Sequence, residues 1–160
     1  MKKESALIKG IDLYNKRKYM EAKNEFLIAS EEGSDYEKVE ANLYLEKIAL
    51  RSDGELLFDA KNYIDYVLEC GNDYQKEQAT FELATKYRIL NYFDEAIKLY
   101  KKCLEIIPND LYVLTDLVNL YLKLDEVNEA EKYCFYLLDG AKYSNSFRKK
   151  TISTNAAYLG

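Results

Sequence analysis

The chain has 160 residues, of which 48% are hydrophobic and 32% are charged, a balance typical of one folded unit of ordinary size. Six glycines and one proline favour helix and leave little material for linkers. There is no histidine, which excludes Ser–His and Cys–His catalytic pairs and histidine metal sites. The formal net charge is −5, and such a chain is a poor general binder of nucleic acid, because that affinity depends on neutralising phosphates.

The cysteines and the apolar runs indicate the compartment. Cys70, Cys103 and Cys134 are odd in number and lack CxxC spacing, so they are predicted to be buried thiols in a reducing compartment, rather than disulfides or zinc ligands. No apolar run reaches the roughly 18 residues that a membrane span needs. We therefore expect a cytoplasmic protein without metal, cofactor or membrane contact.

Four alanine-centred stripes recur along the chain. Ala22, Ala60, Ala96 and Ala130 each have large apolar or sulfur-containing side chains at offsets that place them on one helix face. The intervals between these alanines are 38, 36 and 34 residues. The regular interval predicts a repeated structural unit.

Each stripe is followed by a residue that ends a helix and then by one that can cap the next. The predicted stops are Gly33, Gly71, Pro108 and Gly140, with the glycines expected in the left-handed conformation. The predicted caps are Ser34 or Asp35, Asp73, Asn109 or Asp110, and Ser144 or Asn145. The pattern therefore predicts helix pairs at about 4–16/19–32, 37–51/55–69, 74–89/93–106 and 110–123/127–139, and a last helix at 146–159.

The third pair carries the residues of a known repeat. Across Glu77–Asp110 these are Leu83, Ala84, Tyr87, Asn91, Phe93, Ala96, Tyr100 and Pro108. In this order and spacing they resemble the tetratricopeptide repeat (TPR) family. The resemblance implies an all-α, right-handed superhelical solenoid of about four helix–turn–helix units plus a C-terminal capping helix. It implies a single TPR domain over residues 1–160, with units at about 3–36, 41–74, 77–110 and 111–144.

The resemblance also implies a non-enzymatic adaptor that binds a peptide segment or helix of a partner protein on a concave groove. The groove positions of the family fall on Leu7, Ile8, Ile11 and Tyr14, then Leu45, Glu46 and Ala49, then Phe81, Glu82, Thr85 and Arg88, and finally Tyr112, Thr115, Asp116 and Asn119. The Lys and Asn that grip a carboxylate in one subfamily would fall on Leu7 and Ile11, so that clamp is not expected.

Two interpretations of this surface follow from the residues. Glu46, Glu82 and Asp116 occupy equivalent positions, so an acidic column flanked by exposed apolar side chains at the first-unit end predicts a basic partner with apolar anchors. The alternative is a self-assembling scaffold whose homodimer face is built from Tyr63, Tyr66, Tyr133 and Tyr136.

Overall fold

The structure is a computed structural model that describes residues 4–51 and 57–140. All of the described residues lie in helices and the turns between them. The helices are α1 (Ala6–Asn15), α2 (Tyr19–Glu32), α3 (Asp35–Leu50), α4 (Leu57–Cys70), α5 (Asp73–Ile89), α6 (Phe93–Ile106) and α7 (Leu111–Lys123). Residues 127–140 are also helical. This confirms the all-α fold class, and the helix ends agree with the predicted ones to about two residues.

Parts of the prediction lie outside the described residues. They are the last helix at 146–159 with its caps Ser144 or Asn145, and the turn at 52–54 between the two helices of the second pair. The structure divides the chain into two compact units, Met1–Lys102 and Cys103–Gly160. The single domain over residues 1–160 stays a prediction.

In the first unit, α3 is the central helix. It packs against α1, α2, α4 and α5, while α1 also packs against α2, and α4 against α5. Because α3 has neighbours on most sides, its buried side chains do not form a single apolar stripe.

Small residues allow the paired helices to approach closely. Ala22, Ala60 and Ala96 are completely buried, and Ala130 is almost so, as the repeated stripes predict. Phe26 is also fully buried, and its ring stacks on Tyr44 at 4.7 Å between centroids. A Cβ on Gly10 would lie 2.6 Å from Cε1 of Phe26, so only glycine fits at this crossing of α1 and α2.

The second unit has a comparable apolar core. It is formed mainly by one face of α7 together with Ala130 and Tyr133 of the following helix. The rings of Tyr121 and Tyr133 stack with 5.7 Å between their centroids.

Side-chain caps begin four of the described helices, and the first is Ser5, whose hydroxyl accepts from the backbone N–H of Ile8 at the start of α1. Ser34 and Asp110 cap α3 and α7, as predicted, and Ser34 forms a reciprocal capping box with Glu37. The prediction of Asp73 as a cap is wrong by one residue. Asn72 caps α5 and forms a capping box with Gln75, a pairing that the Asn-x-x-Gln spacing could have shown.

The prediction that glycines end helices in the left-handed conformation is also wrong for Gly33, which is extended, with φ −70° and ψ 170°. Glycine is needed there because a Cβ would lie 2.5 Å from the carbonyl oxygen of Ala29. The left-handed residues lie instead in the turns within the helix pairs. They are Arg17, Asn91 and Asp125, with φ near 60°.

Candidate partner-binding groove

A depression of about 220 Å³ lies in the first unit, along the first helices of three successive pairs. Its walls come from α1, α3 and α5, of which α3 contacts both of the others. The lining residues are Tyr14, Lys47, Leu50, Arg51, Glu82, Thr85, Lys86 and Ile89. This is the helix face on which the sequence predicts a groove, and three of the predicted residues, Tyr14, Glu82 and Thr85, line it.

An aromatic cluster supports one side of the depression. The ring of Tyr14 makes edge contacts with Tyr19 and Tyr44, at 5.3 and 5.2 Å between centroids. The guanidinium of Arg51 lies 4.2 Å from the ring centre of Tyr19, and its positive charge acts on the nearby Tyr14 hydroxyl. Burial raises the pKa of the Tyr14 hydroxyl, and Arg51 partly opposes this. Tyr14 therefore stays protonated near neutral pH.

The opposite side is built on α5. The hydroxyls of Thr85 and Tyr100 lie 3.3 Å apart, and Nε of Arg88 donates to the Tyr100 hydroxyl at 3.2 Å. Phe81 packs against the ring of the fully buried Tyr100. These contacts fix the α5 side chains with respect to residues 93–102.

Glu46 does not extend an acidic column, because its side chain is completely buried. Neither carboxylate oxygen has a hydrogen-bond partner. Burial, together with the nearby charge of Glu82, raises the pKa of Glu46 to about 9, although Lys47 opposes the rise. Glu46 is thus neutral at pH 7, and the prediction that it presents a charge to a partner is wrong.

Three other predicted groove residues are buried in the helix packing rather than accessible. Leu7 and Leu45 belong to the core around Phe26, and Ala49 packs in the cluster around Ala60. The expected apolar surface at the first-unit end therefore lacks Leu7. Ile8 is 55% exposed, while Ile11 and Tyr14 are half-buried. The periodicity could not separate these cases, because the groove face and the buried face of a helix in the middle of a stack are adjacent.

The remaining predicted groove residues lie on α5 and α7. Phe81, Glu82, Thr85, Arg88 and Asp116 are half-buried, whereas Tyr112, Thr115 and Asn119 are exposed. The α7 residues belong to the second unit, where Tyr112 is 80% exposed and the Thr115 hydroxyl donates to the carbonyl of Leu111.

The groove positions predicted from the sequence include none of the cations that line the depression. Lys47, Arg51 and Lys86 line it, and none of them was assigned to the groove. The signal was present, because Lys47 and Arg51 are one helical turn apart and face the same way. The family's groove positions do not include these three residues, so the resemblance alone does not predict them.

The predicted cysteine burial and the predicted tyrosine dimer face agree with the structure only in part. Cys103 is buried and Cys134 is half-buried, but Cys70 is exposed, so burial of all three cysteines was wrong. Tyr63, Tyr66 and Tyr133 pack within the chain, and only Tyr136 of that proposed dimer face is largely exposed.

Within residues 4–51 and 57–140, no group of three acidic or cysteine side chains is placed to hold a metal ion. In the same part of the chain, no helix is both long and apolar enough to cross a membrane.

The fold and the depression define a class of protein, a helical-repeat protein built from successive helix pairs. Residues 91–135 match the family model of the tetratricopeptide repeat. This match supports the resemblance to tetratricopeptide repeat proteins that the sequence predicts. A comparison with curated proteins found no match. Tetratricopeptide repeats generally mediate protein–protein interaction.

Proposed function

We propose that this protein is a non-enzymatic adaptor, and that the depression between α1, α3 and α5 binds a peptide segment or helix of a partner protein. The observation that carries the proposal is the depression itself, which combines an exposed apolar residue, Ile89, with polar side chains held in place by packing. Binding sites commonly combine an apolar anchor with a few fixed polar groups.

The accessible groove residues predicted from the sequence remain proposals, each within its own unit. These are Ile8, Ile11, Tyr14, Phe81, Glu82, Thr85 and Arg88 in the first unit and Tyr112, Thr115, Asp116 and Asn119 in the second. A cytoplasmic location stays a prediction as well. The basic partner predicted from the acidic column loses its main support in the first unit, because Glu46 carries no charge there.

A site-specific photo-crosslink tests the proposal. A benzoylphenylalanine placed at Ile89, which is 61% exposed, should capture a segment of another protein in cells. The matched control carries the same group at Lys61, an exposed residue on α4 outside the depression. We expect a defined partner from position 89 only. Equal capture from both positions, or capture from neither, would contradict groove binding.

A further inference from the structure

The side chains around the depression have a charge opposite to the one that the sequence suggests. Among the residues that line it, Lys47 and Arg51 present two cations and Glu82 presents one anion, while Lys86 is buried. Glu46 is near enough to Lys47 and Glu82 for their charges to affect its pKa. It contributes no charge itself, because it is buried and protonated. The lining therefore carries net positive charge at neutral pH in a protein that is acidic overall.

Arg51 is held in a geometry that favours a carboxylate. Its guanidinium carbon lies 4.2 Å from the centre of the Tyr19 ring, which is a cation–π contact. A guanidinium keeps its N–H donors in its plane, where a carboxylate accepts them in pairs. The contact with the Tyr19 ring restricts the Arg51 side chain, which lowers the ordering cost of binding.

Lys47 is the second donor for an anion. Its Nζ lies 4.0 Å from Oε1 of Glu82, which is an ion pair but too long for a hydrogen bond. Nζ also lies 5.5 Å from the ring centre of Tyr44, so the ammonium is placed over a fixed aromatic surface. A partner carboxylate could therefore displace a weak contact rather than a strong one.

We infer that the depression between α1, α3 and α5 binds an acidic segment of a partner protein, in which an Asp or Glu side chain meets Arg51 and Lys47 while a neighbouring apolar side chain packs on Ile89. This inference rests on the proposed function and specifies the chemistry of its partner. The cations lie at positions other than Leu7 and Ile11, so the site is distinct from the family's carboxylate clamp.

Three synthetic peptides test the sign of the charge. They share one apolar framework of leucines and differ only in carrying Asp, Asn or Lys at the intervening positions. Binding to the full chain is followed by fluorescence anisotropy at low and raised salt. We expect the Asp peptide to bind about tenfold more tightly than the Asn peptide, the Lys peptide to bind most weakly, and raised salt to reduce the difference.

Variants then locate the binding. Lys47→Gln and Arg51→Gln should each weaken the Asp peptide by about fivefold to tenfold, and Lys61→Gln on α4 should leave it unchanged. Lys47→Gln is the decisive variant if loss of the Arg51–Tyr19 contact impairs folding. Equal affinity for the Asp, Asn and Lys peptides, tighter binding of the Lys peptide, no binding at all, or an effect of Lys61→Gln as large as that of Lys47→Gln would overturn the inference. A partner captured at Ile89 whose crosslinked segment is basic would overturn the inference and leave the proposed function standing.

Discussion

Glu46 makes the stability of the first unit depend on pH. Its pKa is raised by burial from 4.5 to about 9, so the folded chain holds a proton that the unfolded chain releases above about pH 4.5. Stability from this site is fully present below the unfolded pKa and is lost as pH rises towards the folded pKa. The slope is at most about 1.4 kcal/mol per pH unit.

Glu46→Gln should therefore flatten the pH dependence of unfolding. The amide resembles the protonated carboxyl in shape and does not titrate, so the urea midpoint of the variant should change little between about pH 5 and pH 8. The native midpoint should fall over the same range. The exposed Glu69→Gln on α4 is the matched control and should follow the native curve. Parallel curves for native protein and Glu46→Gln would show that Glu46 is ionised in the folded chain.

Gly10 gives a test in which the sign of the effect is informative. Replacing glycine by alanine inside a helix normally stabilises by up to about 1 kcal/mol. Here the new Cβ would lie 2.6 Å from the Phe26 ring, which is buried and stacked on Tyr44, so Gly10→Ala should instead destabilise by about 1–3 kcal/mol. Chemical denaturation measures this, and Phe26→Leu in the same chain should recover part of the loss. A stabilising Gly10→Ala would mean that α1 and α2 cross elsewhere.

At the scale of the helices, local signals in the sequence were sufficient to place the pairs. Alanine spacing and polar breaks located each helix, because close packing needs small residues at a fixed period. They were insufficient for the helix ends, where Asn72 rather than Asp73 caps α5 and where Gly33 is required by crowding rather than by its φ angle. The groove residues were harder to predict from the sequence than the helix ends. The burial of Glu46 and Leu7 depends on which neighbours pack against each face, and that is set by contacts distant in sequence.

Arg17 allows the left-handed turn between α1 and α2 to be tested. Its φ is 61°, a conformation that costs a side chain other than glycine roughly 1–2 kcal/mol. Arg17→Gly should relieve this, and after the entropy added to the unfolded chain we expect a net gain of about 0.5 kcal/mol. The matched control is Lys16→Gly, one residue earlier, where φ is −79° and glycine should destabilise. Thermal unfolding compares the two, and equal effects would contradict the assigned turn.

At the scale of the whole molecule, the distribution of aromatic residues separates an adaptor from a self-assembling scaffold. The scaffold alternative used four tyrosines, but Tyr63 and Tyr66 pack against core clusters of the first unit and Tyr133 stacks on Tyr121 in the second. Aromatic side chains already used within a chain are not free to build an interface. Of the four tyrosines, Tyr136 is the one that is exposed, and the neighbouring Phe135 on the same helix is exposed as well.

We therefore expect the chain to sediment as a monomer over a wide range of concentrations. A small exposed patch such as that of Phe135 and Tyr136 falls short of the roughly 800 Å² per partner that a stable interface buries. Analytical ultracentrifugation of the native chain and of a Phe135→Ser/Tyr136→Ser variant provides the measurement. If the native mass rises with concentration and the double variant stays monomeric, this helix forms the dimer face and the scaffold alternative gains its first support. If both associate equally, the contact lies elsewhere, and the depression between α1, α3 and α5 should then be tested for occupation by a second copy.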